Sequence, residues 1–310
     1  MNKNKLYSIA NLRNAFFSEI GIGISANAIL LLFHVSVFFL EHRPNPTDLP
    51  TGLLALTHLM MLVIAGFLAT DIFMSWHNFW DDITCKLLVY LYRLMRGLSI
   101  CTTCGLSVLQ AITLSPRSSH LAKFKHKSPY HSLCCLLAMG IFYMSVSSHI
   151  FISVVVTPNL TSDNLIYVTT SCSVWPISYL LRQLFATLLT FREVFLIGLM
   201  SLSSGYMVTV LCRHRRRSRH LHSTRLSAKA SPELRATRTI LLLLGFFMVM
   251  SISDYVISVS RIMWNNDPIL YYIQIFIDDS YAAVSPLVFI STEKRIIIFL
   301  KFMWGRTINA

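Results

Sequence analysis

The sequence predicts an all-α polytopic membrane protein: a seven-transmembrane helix bundle with an extracellular N-terminus and a cytoplasmic C-terminus. Three observations predict it. Of 310 residues, 54% are hydrophobic and 13% charged, with a mean hydropathy of +0.58, whereas a soluble domain carries about 25% charged residues. The apolar residues gather into seven runs, each long enough at 1.5 Å per residue to cross a hydrocarbon core of ~30 Å. Lys and Arg concentrate in alternate connections between those runs.

The first run, 16–40, is too long for a signal-peptide core and no small-residue cleavage site follows it, so it reads as an uncleaved signal anchor. Spans two, three and four follow at 51–75, 85–115 and 132–156, and spans five, six and seven at 186–212, 237–263 and 271–290. Residues 1–15 form the extracellular N-terminus, and 16–292 form one membrane domain, because no polar segment between spans is long enough to build a core of its own. Residues 293–310 are a short cytoplasmic tail. Its apolar run 296–300, flanked by Lys294, Arg295 and Lys301, fits an interfacial helix or a frayed continuation of span seven.

Orientation follows from positive charge, since Lys and Arg beside a span resist translocation. Connections 41–50, 117–131 and 213–238, with the tail, hold 18 basic residues, against 4 in the N-terminus and the other connections. Lys3, Lys5 and Arg13 oppose this locally, but the inverted bundle would export the run RHRRRSR at 213–219. The net charge of +13 is thus explained by topology and attraction to anionic lipid, and nucleic acid is not an expected partner. Trp76, Trp80, Trp175, Trp264 and Trp304 all fall at span ends or in connections, as interfacial rings do. Asn159 heads the sequon Asn159, Leu160, Thr161 in the fourth connection, outside in this topology, and is the expected glycosylation site.

Five of seven cysteines, Cys101, Cys104, Cys134, Cys135 and Cys212, lie within or at the inner ends of spans and are expected to stay reduced. The C-x-x-C spacing of Cys101 and Cys104 lacks the soluble helix N-terminus that activates such pairs, so no redox role is expected. Cys85 and Cys172 are the two on the oxidising side, and they are expected to pair.

An ionisable side chain within a span is costly unless paired or wetted, so each marks a candidate site. Arg93 and Arg96 in span three, Arg192 and Glu193 in span five, Asp254 in span six, and Asp278 and Asp279 in span seven all fall in the outer half. They predict a polar cavity opening outward between spans three, five, six and seven. Arg93, Arg96, Glu193, Asp254, Asp278 and Asp279 are its ligand-binding candidates. The plainer reading makes each half of an ion pair, with Arg96 joined to Glu193 or Asp278; a guanidinium fork left open would favour anionic or carbonyl-bearing ligands. Neighbours on a helix differ by ~100°, so the sequence does not choose between Asp278 and Asp279, or between Arg192 and Glu193.

Seven spans with the outer end of the third tied to the second outer loop look like the G-protein-coupled receptor superfamily. The stretches HRPNPTDLP (42–50), CKLLVYLYRLMRGLSICTTC (85–104), SVLQAITLSPRSS (107–119), TPNLTSDNLIYV (157–168), SGYMV (204–208), ATRTILLL (236–243) and SPLVFISTEKRI (285–296) resemble the vomeronasal type 1 receptor family, in order and over nearly the whole chain. The chain departs from the common rhodopsin-like pattern. Ala111, Ile112 and Thr113 replace the acid, Arg and Tyr that end helix three, helix six has no proline, and Ser285, Pro286 and Phe289 stand where Asn, Pro and Tyr are usual. His58 occupies the place of a sodium-binding aspartate, while Gly23 and Asn27 keep the G-x-x-x-N pattern of helix one. The resemblance implies a plasma-membrane, pheromone-type chemosensory receptor for a small organic ligand, coupled to an inhibitory-class heterotrimeric G protein.

On the inner face, Arg117, Lys123, Arg213, Arg215, Arg216, Arg235 and Arg238 are candidates to face that G protein, with Ser218, Ser223, Thr224, Ser227 and Ser231 as hydroxyls whose phosphorylation would weaken docking. The competing class is a secondary transporter of a small solute, but no internal repeat is visible and the charges avoid the midplane. There is no H-E-x-x-H, no serine elbow and no paired His and carboxylate at ligand spacing, so neither enzyme, metal site nor cofactor is expected.

Overall fold

The computed structural model describes residues 3–40, 47–74, 80–116, 129–148, 150–156, 166–167, 171–174, 178–221, 232–263 and 268–308. Helices α1 (Lys3–Leu40), α2 (Asp48–Met74), α3 (Asp82–Leu114) and α4 (Pro129–Ser147) are followed by the single turn α5 (Ile150–Ser153). Strands β1 (Val154–Val156), β2 (Ile166–Tyr167) and β3 (Cys172–Val174) come next, then α6 (Tyr179–Leu221), α7 (Pro232–Met263), α8 (Pro268–Thr292) and α9 (Lys294–Ile308). Five of these helices are long and apolar enough to cross a membrane: segments Ala10–Phe39, Asp48–Asp71, Asp82–Leu114, Gln183–Arg213 and Ile273–Thr292. Their outer faces expose Leu32, Phe39, Leu180, Phe191 and Leu202, an apolar surface that suits lipid and not water.

Local chemistry sets the helix ends. Asp81 caps α3, its carboxylate accepting from the Thr84 backbone N–H at 2.8 Å; the bonds to Thr84 hold that carboxyl below its usual range. At the other end Ser115 turns extended, φ −62° and ψ 135°, as the residue before Pro116 must. Within the helices Ser25, Thr57, Thr102, Ser204 and Ser253 donate their hydroxyls to carbonyls one turn back, which satisfies them where water is absent.

Helix α3 packs on α2, α4, α6 and α7, and α1 packs between α2 and α8. Helices α1 and α8 approach closely at Gly23: a Cβ added there would sit 3.0 Å from Ala283 of α8 and 2.7 Å from Leu62 of α2, so only glycine fits. One turn on, Asn27 donates to the Gly23 carbonyl at 2.8 Å and to the Ala282 carbonyl at 2.9 Å. The Ala282 carbonyl is the one that Pro286, lacking an N–H, leaves open inside α8. Asn27 therefore fills from another helix the bond that the proline removes.

Two expectations need correction. The fourth span, expected over 132–156, stops as a helix at Ser147; Ser148 turns back on the Ser145 carbonyl, and Val154–Val156 leaves as β1. Three consecutive β-branched residues suit a strand, and β3 supplies the partner, with order β1-β3-β2, both pairings antiparallel and Val156 opposite Cys172. Trp80 is not an interfacial ring; it is 9% exposed and packs with Cys85, Val89 and Val154. Trp76, Trp175 and Trp264 lie outside the described residues.

Candidate functional site

Arg96 of α3 organises the charged cluster. Its fork donates from Nη1 to Asp278 Oδ2 at 2.6 Å and from Nη2 to Asp254 Oδ2 at 2.8 Å, joining α3 to α8 and α7. Gln274 fixes Asp254 from α8, donating at 2.7 Å. One turn toward the N-terminus of α3, Tyr92 donates to Asp279 Oδ1 at 2.9 Å, so both aspartates of α8 are engaged, each by a different residue of one helix face. Arg96 is 30% exposed and Asp254 21%, whereas Asp278 is 8% exposed and Asp279 fully buried. The cluster is thus open on the side of Arg96 and Asp254 and closed behind α8.

Of the two partners expected for Arg96, Asp278 is the one it meets, and Glu193 is not. Glu193 is half exposed and pairs at 3.0 Å with its neighbour Arg192, which is itself buried and lies 4.0 Å over the Tyr143 ring. Of those two, Arg192 is the side chain that turns toward the bundle. Arg93 is exposed and has no ion-pair partner among the described residues. The fork of Arg96 is already filled by two carboxylates, which removes the open donor that would favour an anion.

Two acids that sequence reasoning passed over belong to the same end. Glu19 of α1 sits beside Ser280 and Asp279 and has a buried oxygen, Oε2, without a hydrogen-bond partner among the described residues. Asp71 of α2 is fully buried and accepts from the Ser171 N–H at 2.8 Å and the Ser171 hydroxyl at 2.6 Å. Both were visible as lone acids inside apolar runs, the same signal that marked Asp254. Asp71 grips the residue before Cys172, which is bonded to Cys85 at the top of α3 with the Cα atoms 5.7 Å apart. The β-hairpin strip is thereby fastened to α2 and α3 at adjacent residues. Cys101 and Cys104 are free and buried; Cys134 and Cys212 are free and exposed.

Beneath the ionic cluster, His58 of α2 bridges Ser99 of α3 at 2.6 Å and Ser285 of α8 at 3.1 Å, with the Tyr281 ring edge-on at 5.4 Å. Tyr281 in turn meets Thr103 at 3.1 Å. A cavity no larger than a single water lies just below, lined by Thr103, Ser107, Leu244 and Tyr281 among others. It is too small for an organic ligand. At the start of α9, Arg295 donates to Asp48 of α2 at 2.7 Å, close to His34 and Phe33 of α1. Asp48 and Glu293 outweigh the effect of burial and raise the pKa of Arg295 above its usual value.

Of the G-protein-facing candidates, Arg213 in α6 and Arg238 in α7 are exposed; Arg215, Arg216 and Arg235 lie on the same two helices. Arg117, Lys123 and the glycosylation candidate Asn159 lie outside the described residues.

Comparison with known proteins adds the family. The model of the vomeronasal organ pheromone receptor family matches residues 10–302. Vomeronasal type-1 receptor 94 of Rattus norvegicus is 58% identical over 310 residues, covering 100% of this chain and 95% of that receptor. Vomeronasal type-1 receptor 100 of the same species is 59% identical with the same coverage, and vomeronasal type-1 receptor 47 of Mus musculus is 56% identical over 100% of both chains.

Proposed function

Because the chain belongs to the vomeronasal type 1 receptor family and is a multi-pass membrane protein of the cell surface, we propose that it is a pheromone-type chemosensory receptor. It takes a small organic ligand from outside and activates an inhibitory-class heterotrimeric G protein. The observation that carries this reading is the Arg96, Asp254 and Asp278 cluster. It joins α3, α7 and α8 through one partly open guanidinium, so a ligand that touches it bears on all three helices.

In this reading seven helices, α1, α2, α3, α4, α6, α7 and α8, span the bilayer with the N-terminus outside. The placement of 18 basic residues against 4 supports it. So does the disulfide between Cys85 and Cys172, since such a bond suits an oxidising compartment outside the cell. Arg93, Arg96, Glu193, Asp254, Asp278 and Asp279 line or brace the outward cavity. Ligand binding shifts a pre-existing equilibrium toward an active inner face, where Arg213, Arg215, Arg216, Arg235 and Arg238, with Arg117 and Lys123, meet the G protein. Asn159 carries a glycan in the outer connection, so glycosidase should shift the mobility of wild type and not of Asn159→Gln. Helix α9 rests its apolar side on the inner leaflet.

The test is nucleotide exchange. Membranes holding the full chain and an added inhibitory-class G protein should load GTP faster when a mixed panel of volatiles, acids, sulfates and amines is applied. Solute accumulation by liposomes carrying the purified chain, with no stimulated exchange, would favour a transporter.

A further inference from the structure

We infer that one ordered water molecule is bound between α3 and α8, held by Ser107, Thr103 and Tyr281; this goes beyond the receptor reading and does not rest on it. Ser107 breaks a local rule. Ser25, Ser204, Ser253 and Ser280 each donate to the carbonyl one turn back, which satisfies a hydroxyl inside a helix. Ser107 of α3 is 1% exposed, and its Oγ has no hydrogen-bond partner among the described residues. Enclosing a hydroxyl without a partner is costly, so the site calls for a group that can meet it.

Ser107 lines the small cavity below His58, and Thr103 and Tyr281 are the other polar residues of its wall. The rest of the wall is apolar, including Leu54 of α2 and Leu243 and Leu244 of α7. A water's centre has about 10 Å³ there, close to what a single molecule needs. Thr103 and Tyr281 share one hydrogen bond at 3.1 Å, which uses the proton of one hydroxyl and a lone pair of the other. One proton and further lone pairs are left between them, and Ser107 adds a donor and an acceptor of its own. Three hydroxyls thus supply the partners that keep a water bound, whereas a cavity with a wholly apolar wall stays dry. A metal cation does not fit this wall, which holds no carboxylate to offset its charge. A water here continues the polar bridges of His58 and Tyr281 one turn further along α3, to a level where α7 offers only apolar side chains.

The test is radiolytic hydroxylation of the purified full-length receptor in lipid nanodiscs, read by mass spectrometry beside thermal unfolding. An X-ray pulse turns a bound water into a hydroxyl radical that oxidises the side chains next to it. Leu54 and Leu244, buried in the cavity wall, should therefore be hydroxylated in the folded receptor, while Leu30 and Leu62, buried away from it, should not. Ser107→Ala should cut the labelling of Leu54 and Leu244 several-fold and lower Tm by roughly 1 to 3 °C, the loss of one neutral hydrogen bond. If that variant does not fold, Tyr281→Phe, which removes another of the water's partners, decides by the same labelling. Combining the two substitutions should lower Tm by less than the sum of their separate shifts, since both serve one water. Labelling of Leu54 and Leu244 no higher than that of Leu30 would overturn the inference, as would labelling unchanged by Ser107→Ala. A Tm that rises in Ser107→Ala would overturn it too, because removing a hydroxyl that has no partner relieves its cost. So would additive shifts in the double variant.

Discussion

Arg96 holds two carboxylates on two helices with one planar group, and its replacements separate charge from shape. Arg96→Ala strands Asp254 and Asp278, and breaking a buried pair costs about 3 to 5 kcal/mol. Surface expression should fall several-fold, and adding Asp278→Asn should recover part of it. Arg96→Lys keeps the charge but cannot span both acids, so expression should be largely retained while ligand potency drops roughly tenfold; flow cytometry beside a concentration response checks both. Gly97, the next residue, is fixed by sterics: a Cβ there would overlap the Tyr143 ring, the ring on which Arg192 stacks. Gly97→Leu should therefore lower Tm by several degrees, as forced overpacking does, measurable in the purified receptor.

At the scale of elements, two fasteners close the ends of the bundle. One has two parts, the Cys85 to Cys172 disulfide and the Asp71 carboxylate on Ser171. Cys85→Ser and Cys172→Ser should reduce surface level equally, and the double variant should add little, since both remove the same bond. Asp71→Asn keeps one acceptor and should loosen the hairpin without unfolding the receptor, which hydrogen exchange across β3 would report as faster amide loss. The other is Arg295 on Asp48, tying α9 to α2 in a chain that lacks the usual charged end of helix three. Arg295→Ala should raise ligand-independent nucleotide exchange if this contact restrains the inner face, and unchanged basal exchange with normal expression would confine it to anchoring α9. How far these elements were legible follows from their physics. Long apolar runs located α1, α2, α3 and α6 because hydrocarbon thickness sets their length. The end of α4 was hidden, since an apolar run reads alike as helix or strand and only Val154–Val156 hinted at the change. Partner choice was hidden too: a step of ~100° per residue decides that Arg192 points in and Glu193 out, and that Tyr92 and Arg96 divide Asp279 and Asp278.

Over the described residues, the polar groups fall in layers along the bundle: an ionic cluster through Arg96, neutral polar bridges through His58 and Tyr281, and an ion pair between Arg295 and Asp48. Each layer joins α8 or its continuation to helices from the first half of the chain, which makes α8 the element best placed to carry a change from one face to the other. The expected topology paired Cys85 with Cys172 because it put only those two cysteines on the oxidising side, whereas the cluster's cross-helix pairings needed three dimensions. The disulfide also closes a covalent ring. Residues 85 to 172 form a loop of chain 87 residues apart at its ends, and the whole of α4 lies inside it. A single cut within that ring cannot separate the molecule into two pieces, while a cut in the third inner connection can. A protease site inserted between Ser118 and Ser119 and cleaved in the solubilised protein should leave one band without reductant and two with it. The same site inserted between Ser227 and Ala228 should give two bands either way. The receptor is thus a ring with two tails in its covalent connectivity, and α4, the shortest of the long helices, stays threaded to the rest even after its backbone link to α3 is severed.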